Sequence, residues 1–238
     1  MAGDDGGVSV VVLVAVLAVL LLINLLNHRW RTHWYLRTCV VGAAIILAIG
    51  LASGLSWDEL GLGRSSLLRG ALWGAGTIAL VFAIYLIGLS IPSTRRFFED
   101  DRLSGRTGSV VAKHALVEVP LGTVLLEETA FRAVIYADVL LASGTVMAVA
   151  VSSLVFGVWH VLPAITWHES NVGIAESLGE RHERARGIVV LVSVVGTTVA
   201  GVIFCMLRIW SDSLLAPMAF HWAINGLGLF FVWWLRRR

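Results

Sequence analysis

The sequence predicts an all-α protein: a polytopic bundle of about seven transmembrane helices, with the N-terminus outside and the C-terminus in the cytoplasm. Three observations support this fold class. Hydrophobic residues form 58% of the 238 residues and charged residues only 14%, whereas soluble domains average about 45–50% and about 25%. Seven apolar stretches approach the roughly 20 residues that cross a bilayer core. The loops between them carry basic residues asymmetrically. A soluble globular domain is excluded.

The predicted helices follow one another along the whole chain. They cover residues at about 8–26, 36–54, 67–91, 117–141, 144–163, 187–209 and 213–235. The segment before the first helix, MAGDDGG, is acidic and lacks the basic residues of a cleavable signal peptide, so we expect this helix to be retained. Charged segments separate most of the helices and should lie outside the bilayer. These segments cover residues 27–35, 55–66, 92–116 and 164–186.

Basic residues lie mainly on one side of the predicted bundle. Fourteen of the 18 occupy alternate loops, which the positive-inside rule places in the cytoplasm. They are Arg29, Arg31, Arg37, Arg95, Arg96, Arg102, Arg106, Lys113, Arg181, Arg184, Arg186, Arg236, Arg237 and Arg238. Arg64, Arg69 and Arg208 lie on the opposite side, and Arg132 lies within a span. Because removing one span would destroy this alternation, we expect a seven-span, multi-pass protein of the cell (plasma) membrane.

The charge and cysteine content exclude further classes. The net charge is +2 and the basic residues are scattered, so no nucleic-acid partner is predicted. Cys39 and Cys205 lie in apolar runs without a CxxC motif or a nearby histidine, so neither a disulfide framework nor a zinc knuckle is indicated. All the basic residues except Lys113 are arginine, a bias that favours a GC-rich bacterial genome.

Ionisable residues cluster inside the predicted spans, where each costs about 2.5–3.5 kcal/mol and is a functional candidate by default. The fourth span contains Glu127, Glu128 and Arg132, the fifth contains His160, and the seventh contains His221. Residues four apart share a helix face, so Glu128 and Arg132 can pair while Glu127 faces a polar cavity. Rotation of the helix about its axis would exchange these roles between Glu127 and Glu128.

Hydrogen-bond donors and an aromatic ring complete the predicted cavity. His221 and Asn225 are four residues apart, so both can donate to one acceptor, as an acyl-transfer oxyanion requires. Phe156 lies four residues before His160, so its ring should stand beside the imidazole and limit the access of water. These groups converge if the bundle turns the helix faces inward, in a cavity that opens to the cytoplasm.

Three ordered motifs resemble those of a known family. Glu-Glu-x-x-x-Arg, Phe-x-x-x-His and His-x-x-x-Asn occur in this order, each in a separate apolar segment. The pattern resembles the CPBP family of intramembrane proteases, which includes CAAX-processing and bacteriocin-processing, abortive-infection-like enzymes. The resemblance covers residues from about 115 to 235. It implies a division into residues 1–114, N-terminal transmembrane helices with a cytoplasmic loop, and residues 115–238, a protease core of transmembrane helices.

The resemblance implies that the protein hydrolyses a peptide bond of a membrane-associated protein or peptide within the membrane. By this analogy Glu127 and His160 activate a water molecule, and His221 and Asn225 stabilise the oxyanion. The analogy assigns a supporting role to Glu128, Arg132 and Phe156. The first three spans contain no family motif, and nothing in the sequence identifies a prenyl-binding pocket, so specificity for CAAX peptides does not follow.

Two descriptions of the chemistry remain open under this resemblance. In the glutamate-type description, a glutamate in a low-dielectric pocket acts as general base and no cofactor is needed. In the metal-dependent description, Glu127, His160 and His221 form a zinc site with an open position for water. The two histidines come from separate helices rather than from an HExxH turn, so spacing does not decide. We prefer the version without a cofactor.

Two other functions compete with hydrolysis. Glutamate and histidine within spans also form the proton relays of proton-coupled transporters. The sequence shows neither the inverted repeats nor the paired broken helices of such transporters. A non-catalytic membrane scaffold or immunity protein would keep the fold without activity. Hydrolysis explains the most residues with the fewest assumptions and is the preferred interpretation.

Overall fold

The computed structural model describes residues 10–27, 34–95, 105–170 and 182–236 and gives the backbone alone for 166–170 and 182–186. In these four ranges the regular structure is entirely helical, with no strand. The predicted all-α fold is therefore confirmed. Many of the loop arginines on which the predicted orientation rests, such as Arg29, Arg102 and Arg181, lie outside the described residues.

The helices follow the order of the predicted apolar stretches. Helices α1, α2 and α3 cover Val10–Leu25, Tyr35–Ala52 and Leu67–Ser90, with a 3-10 turn at Arg64–Ser66. Helices α4, α5, α6 and α7 cover Pro92–Arg95, Gly108–Lys113, Leu125–Glu128 and Tyr136–Trp159. Helices α8, α9, α10 and α11 cover Val161–Ser170, His182–Ser211, Leu215–Trp222 and Gly228–Leu235. Wider π-helical stretches at His114–Val124, Thr129–Ile135 and Ala223–Leu227 join α5 to α6, α6 to α7 and α10 to α11.

Several helical segments are long and apolar enough to cross a membrane. In the described chain there are five: Tyr35–Ala52, Arg64–Ser90, Gly108–Ile165, Gly187–Ser211 and Leu215–Leu235. Helix α1 is apolar but shorter, with 16 residues. The predicted spans at 117–141 and 144–163 both fall within Gly108–Ile165. These helices fit an integral membrane protein; the count of seven spans and the orientation of the termini stay predictions.

A conformational break divides the longest of these segments. Gly144 has φ 78° and ψ 175° within α7, a backbone conformation that glycine adopts without the steric cost of a side chain. The break lies at the first residue of the fifth predicted span, just after the end of the fourth. It separates the part of the segment that carries Glu127 and Glu128 from the part that carries His160.

The centre of the bundle is the helical segment that carries the two glutamates. Every residue from 126 to 139 is buried, whereas the other long helices bury only part of their surface. A helix that is covered on all sides needs neighbours around it. Here α2 contacts this segment, α1 packs beside α2, and α9 and α10 approach it from the other chain half. The ionisable residues of this segment are therefore held in the interior of the protein rather than at the lipid surface.

Small residues and polar side chains fix the helix packing around this segment. Gly157 faces α9 so closely that a Cβ atom on it would lie 2.9 Å from the carbonyl oxygen of Val194. Ser152 donates a hydrogen bond of 2.7 Å to the carbonyl oxygen of Phe131, which connects the two halves of the broken segment. Small residues and interhelical hydrogen bonds are the main means of helix association within membranes.

A buried arginine fixes the loop between α2 and α3. The Nη2 atom of Arg208 donates to the carbonyl oxygen of Glu59 at 2.9 Å, and its Nη1 atom lies 3.5 Å from a carboxylate oxygen of Asp212. In the same loop the backbone N–H and the hydroxyl of Ser56 both donate to the Glu59 carboxylate. These two hydrogen bonds lower the pKa of Glu59 below its ordinary value. The loop is thus fastened on the side of the bundle opposite the predicted cytoplasmic loops.

Candidate active site

Four polar residues of the sequence motifs, Glu127, Glu128, Arg132 and His221, meet in the interior of the bundle beside the ring of Phe156. Glu127 and Glu128 lie in α6, one turn before Arg132 in the following π-helical stretch. The ring of Phe156 comes from the last turns of α7, and His221 comes from α10. All five side chains are buried. The helices therefore bring together residues separated by up to 94 positions in the sequence.

Glu128 is the hydrogen-bonding centre of the cluster. Its Oε1 atom accepts a hydrogen bond of 2.7 Å from Nδ1 of His221 and a longer one of 3.4 Å from Nη1 of Arg132. Glu128 and Arg132 are both 0% exposed. The pairing of Glu128 with Arg132 that the four-residue spacing predicts is therefore present, and the charge of each compensates the other in an environment where an unpaired charge is costly.

Glu127 is held by one oxygen and leaves the other facing His221. Its Oε1 atom accepts a hydrogen bond of 2.9 Å from the indole Nε1–H of Trp159. Its Oε2 atom has no hydrogen-bond partner among the described residues and lies 3.8 Å from Nε2 of His221. That distance is longer than a hydrogen bond. One oxygen of this buried carboxylate thus remains available to accept a proton.

Aromatic rings enclose the charged groups. The Arg132 guanidinium lies 4.0 Å from the centre of the Phe156 ring and 4.7 Å from that of Phe204, distances at which a cation is attracted to the π-face. The His221 ring stacks on Phe204 with 5.0 Å between centroids, and His160 meets the edge of Phe156 at 4.6 Å. The predicted contact between Phe156 and His160 is therefore present. The rings restrict the rotation of both imidazoles.

His160 occupies the point where α7 ends and α8 begins. His160 caps the C-terminus of α7, and its own backbone angles, φ −82° and ψ 1°, are not helical. Its Nδ1 atom donates a hydrogen bond of 2.8 Å to the carbonyl oxygen of Phe156, which favours the tautomer with a free lone pair on Nε2. The side chain is half-buried. His160 thus contacts the cluster through the Phe156 ring, and its Nε2 atom is not used in the hydrogen bond to the Phe156 carbonyl oxygen.

Asn225 is not joined to the cluster by a hydrogen bond. It lies in the π-helical stretch Ala223–Leu227, is half-buried, and its amide makes no hydrogen bond to any described residue. The backbone just before it is fixed by Tyr85 of α3, whose hydroxyl donates a hydrogen bond of 2.7 Å to the carbonyl oxygen of Ile224. The indole of Trp222 donates at 2.9 Å to the carbonyl oxygen of Ala115. The backbone beside Asn225 is therefore fixed, and its amide has no hydrogen-bond partner among the described residues; its predicted place beside the oxyanion stays a prediction.

Two residues in contact with the cluster, and a third that holds one of them, were absent from the sequence-based prediction. Trp159 binds Glu127, Phe204 stacks on His221, and Asn24 of α1 donates a hydrogen bond of 3.1 Å to the carbonyl oxygen of Trp159. Trp159 adjoins the motif histidine, and this adjacency was a signal that could have singled it out. Phe204 and Asn24 lie in apolar runs where neither spacing nor composition distinguishes them from ordinary packing residues.

The residues do not form a recognisable metal-binding set. Within the described part of the chain no three His, Cys, Asp or Glu side chains are grouped so that they could hold a metal ion. Nδ1 of His221 is engaged with Glu128, and Nδ1 of His160 with a backbone carbonyl. Hydrogen bonding through Nδ1 leaves Nε2 of each histidine open to a ligand, but Glu127, His160 and His221 are not grouped as a three-ligand site in the described part of the chain. The choice between the two descriptions of the chemistry stays a prediction.

Comparison with known proteins identifies the family. Residues 110–227 match the family model described as type II CAAX prenyl endopeptidase Rce1-like. No curated protein and no solved structure matches the chain. The matched range contains each of the motif residues from Glu127 to Asn225 and confirms the resemblance to the CPBP intramembrane proteases. Through residues 110–227, the chain belongs to the Rce1-like family of type II CAAX prenyl endopeptidases.

Proposed function

We propose that this protein is an intramembrane endopeptidase that hydrolyses a peptide bond of a membrane-associated protein or peptide. The observation that carries the proposal is the Glu127 carboxylate, which is buried and is anchored at Oε1 by Trp159. Its Oε2 atom has no hydrogen-bond partner in the described ranges and lies 3.8 Å from His221. A carboxylate with one anchored and one free oxygen has a defined direction in which to accept a proton. The membership of residues 110–227 in a family of endopeptidases supports the same conclusion.

The first chemical step in this proposal is the attack of water. The Oε2 atom of Glu127 accepts a proton from a water molecule while the water oxygen bonds to the carbonyl carbon of the scissile peptide. The free Nε2 lone pair of His160 accepts a hydrogen bond from the same water and orients it. The aromatic rings of Phe156 and Phe204 exclude other water molecules, which strengthens the electrostatic interactions at this position.

The second step is stabilisation and collapse of the tetrahedral intermediate. The carbonyl oxygen becomes an oxyanion that accepts hydrogen bonds from Nε2–H of a protonated His221 and from the amide of Asn225. The Glu128 carboxylate, bonded to Nδ1 of His221, balances the imidazolium charge. The C–N bond then breaks and the proton held by Glu127 passes to the amine. One water molecule is consumed, and Glu127 returns to its ionised form.

No step in this proposal uses a metal ion or another cofactor. Glu127 supplies the base, and side-chain donors supply the oxyanion stabilisation, so the chemistry is complete with the residues of the chain itself. The glutamate-type description therefore accounts for the arrangement more simply than the zinc-dependent one. Arg132 and Glu128 act as support, because their ion pair fixes the helix that carries Glu127.

We further propose a seven-span topology with the N-terminus outside and the C-terminus in the cytoplasm of a plasma-membrane protein. The Gly144 break supports two spans within Gly108–Ile165, since 58 residues of continuous helix would extend roughly 87 Å. Helix α1 supplies the remaining span. Green fluorescent protein fused after Arg238 should fluoresce, and alkaline phosphatase fused at the same position should be inactive. The opposite pair of results would reverse the orientation.

The function is tested by peptide cleavage with detergent-purified protein. The substrates are a peptide library with farnesylated and unmodified members, and products are identified by mass spectrometry. The wild-type protein should cleave, and Glu127→Gln should lose cleavage because the amide cannot act as a base while the shape is nearly kept. Glu118→Gln is the matched control, because Glu118 is a half-buried carboxylate near the start of the same segment and pairs with Lys113 and His114 rather than with the cluster.

The outcomes separate the proposed functions. Cleavage that survives Glu127→Gln would contradict the assigned base, and cleavage that is lost in Glu118→Gln as well would indicate general disruption. Cleavage of farnesylated peptides alone would assign CAAX-type substrates to the enzyme. The absence of cleavage by folded wild-type protein across both sets of peptides would favour a non-catalytic membrane protein.

A further inference from the structure

Trp159 connects the two catalytic elements of the proposed site. Its indole Nε1–H donates to Oε1 of Glu127 at 2.9 Å, and the next residue in the chain is His160. The indole ring lies against Phe131, with 6.3 Å between ring centroids. A single residue therefore contacts the proposed base through its side chain and carries the water-orienting histidine through its backbone.

The indole is suited to hold a carboxylate in one orientation. It is a donor only, so it cannot accept a proton from Glu127 or compete with it as a base. A hydrogen bond to an ionised acceptor is about twice as strong as one between neutral groups. Because the bond occupies Oε1, the carboxylate plane is fixed and Oε2 is left toward His221.

Asn24 holds the backbone of Trp159 from a different part of the chain. Its Nδ2 atom donates a hydrogen bond of 3.1 Å to the carbonyl oxygen of Trp159 across 135 residues. Trp159 is the last residue of α7, and carbonyl groups in the last turn of a helix lack partners within that helix. Asn24 is buried and supplies the missing donor. Helix α1 therefore fixes the position at which the chain turns toward His160.

We propose that Trp159 is the positioning residue of the Glu127 base and that Asn24 is the anchor of Trp159. The inference rests on the proposed function, because it assigns a role in the same reaction. It also gives the N-terminal helix, which lies outside residues 110–227, a part in building the active site. Neither residue touches the substrate, so their loss slows the chemical step without weakening substrate binding.

The first test compares variants in steady-state peptide cleavage. Trp159→Phe, and replacement of Trp159 by 3-benzothienylalanine, which keeps the bicyclic shape but lacks the N–H group, should each lower kcat by about tenfold to hundredfold. KM should stay within about twofold, because the interaction concerns the base and not substrate binding. Trp73→Phe is the control, since Trp73 lies in α3, is exposed and stacks on Trp210 rather than on any residue of the proposed site; it should leave kcat unchanged.

The anchor is tested by a double-mutant cycle. Asn24→Leu should lower kcat, as Trp159→Phe does. The loss of kcat in the double variant should be smaller than the product of the two single losses, because Asn24 acts on Glu127 only through Trp159. Asn27→Leu is the control: Asn27 lies near the same end of α1 but donates to Cys39. It should leave kcat unchanged.

A second readout does not depend on catalysis. In the protein labelled with ¹⁵N at the tryptophan indoles, the Trp159 N–H resonance is assigned by its loss in Trp159→Phe. It should move upfield in Glu127→Ala, which removes the charged acceptor, and should stay in place in Glu118→Gln. An unmoved resonance in Glu127→Ala would overturn the pairing.

The outcomes distinguish this inference from the proposed function. If the wild-type protein cleaves and the 3-benzothienylalanine variant has an unchanged kcat, or if Trp73→Phe loses as much activity, the positioning role is overturned while the protease assignment stands. An additive double variant would overturn the role of Asn24 as the anchor. If the indole resonance shifts in Glu127→Ala but the wild-type protein cleaves no peptide, the Trp159–Glu127 contact is supported and the proposed function is overturned.

Discussion

Glu128 accepts a hydrogen bond of 2.7 Å from His221 although the two residues are 93 positions apart in the sequence. The same carboxylate oxygen is 3.4 Å from Arg132 one turn later. This shared acceptor joins the helix of the proposed base to the helix of the proposed oxyanion donor. The geometry of the site therefore depends on a buried ion pair as much as on the residues that would contact substrate.

Removing one partner of this ion pair should destabilise the protein strongly. Glu128→Gln leaves the Arg132 charge uncompensated in the interior, so we expect the free energy of unfolding to fall by about 3–5 kcal/mol. Chemical or thermal unfolding in detergent micelles measures the change. The double variant Glu128→Gln with Arg132→Gln should lose less free energy of unfolding than the two single variants lose together. Equal losses would contradict the role of charge compensation.

Asn225→Ala should lower kcat with little effect on KM. If the amide donates to the oxyanion, its removal costs about 10²- to 10³-fold in kcat, the loss observed for single donors of this kind. Steady-state cleavage of the best library peptide measures both constants. A change confined to KM would place Asn225 in substrate binding rather than in stabilisation of the intermediate.

Chelators should leave the cleavage rate unchanged. The proposed reaction uses Glu127 as base without a metal ion, so dialysis against 1,10-phenanthroline should have no effect on kcat, and added zinc should not increase it. The measurement is paired with metal analysis of the purified protein. Loss of activity on dialysis with recovery on zinc addition would establish the metal-dependent description in place of the glutamate-type one.

Gly157→Ala should separate α7 from α9 at the level of the active site. The added Cβ atom would lie 2.9 Å from the Val194 carbonyl oxygen, and overpacking of this kind costs about 1–3 kcal/mol. Gly196→Ala is the matched control, because among the described residues no atom of a neighbouring element lies within 4 Å of the corresponding position. It should maintain or raise stability, since alanine favours a helix over glycine by about 1 kcal/mol. Equal losses in the two variants would contradict this account of the packing.

The sequence was sufficient to predict the helical class, the apolar segments and the membership of the family. These properties depend on composition and local spacing: apolar length decides whether a helix can cross a bilayer, and four-residue spacing decides that Glu128 and Arg132 share a face. The break at Gly144 falls at the first residue of the fifth predicted span, which agrees with the division of this segment that the sequence pattern predicts. The roles of the site residues and the number of spans remain predictions.

The partners of the two glutamates could not be predicted in this way. Rotation about the helix axis leaves the spacing unchanged, so the sequence permitted either glutamate to face the cavity, whereas packing places Glu128 on Arg132 and His221 and places Glu127 on Trp159. Phe204 and Asn24 resemble any other residue of an apolar run until their helices are brought together.

The sequence by itself thus determined which long apolar segments are helical and which side chains are too costly to bury without a use, because both follow from short-range geometry and from the properties of the bilayer. It did not predict the helices Pro92–Arg95 and Gly108–Lys113, which lie in a segment expected to connect two spans. Only the tertiary structure decided which atoms meet. The hydrogen bonds from Asn24 to Trp159 and from His221 to Glu128 join distant helices, and their formation depends on helix rotation and close packing that no local pattern encodes.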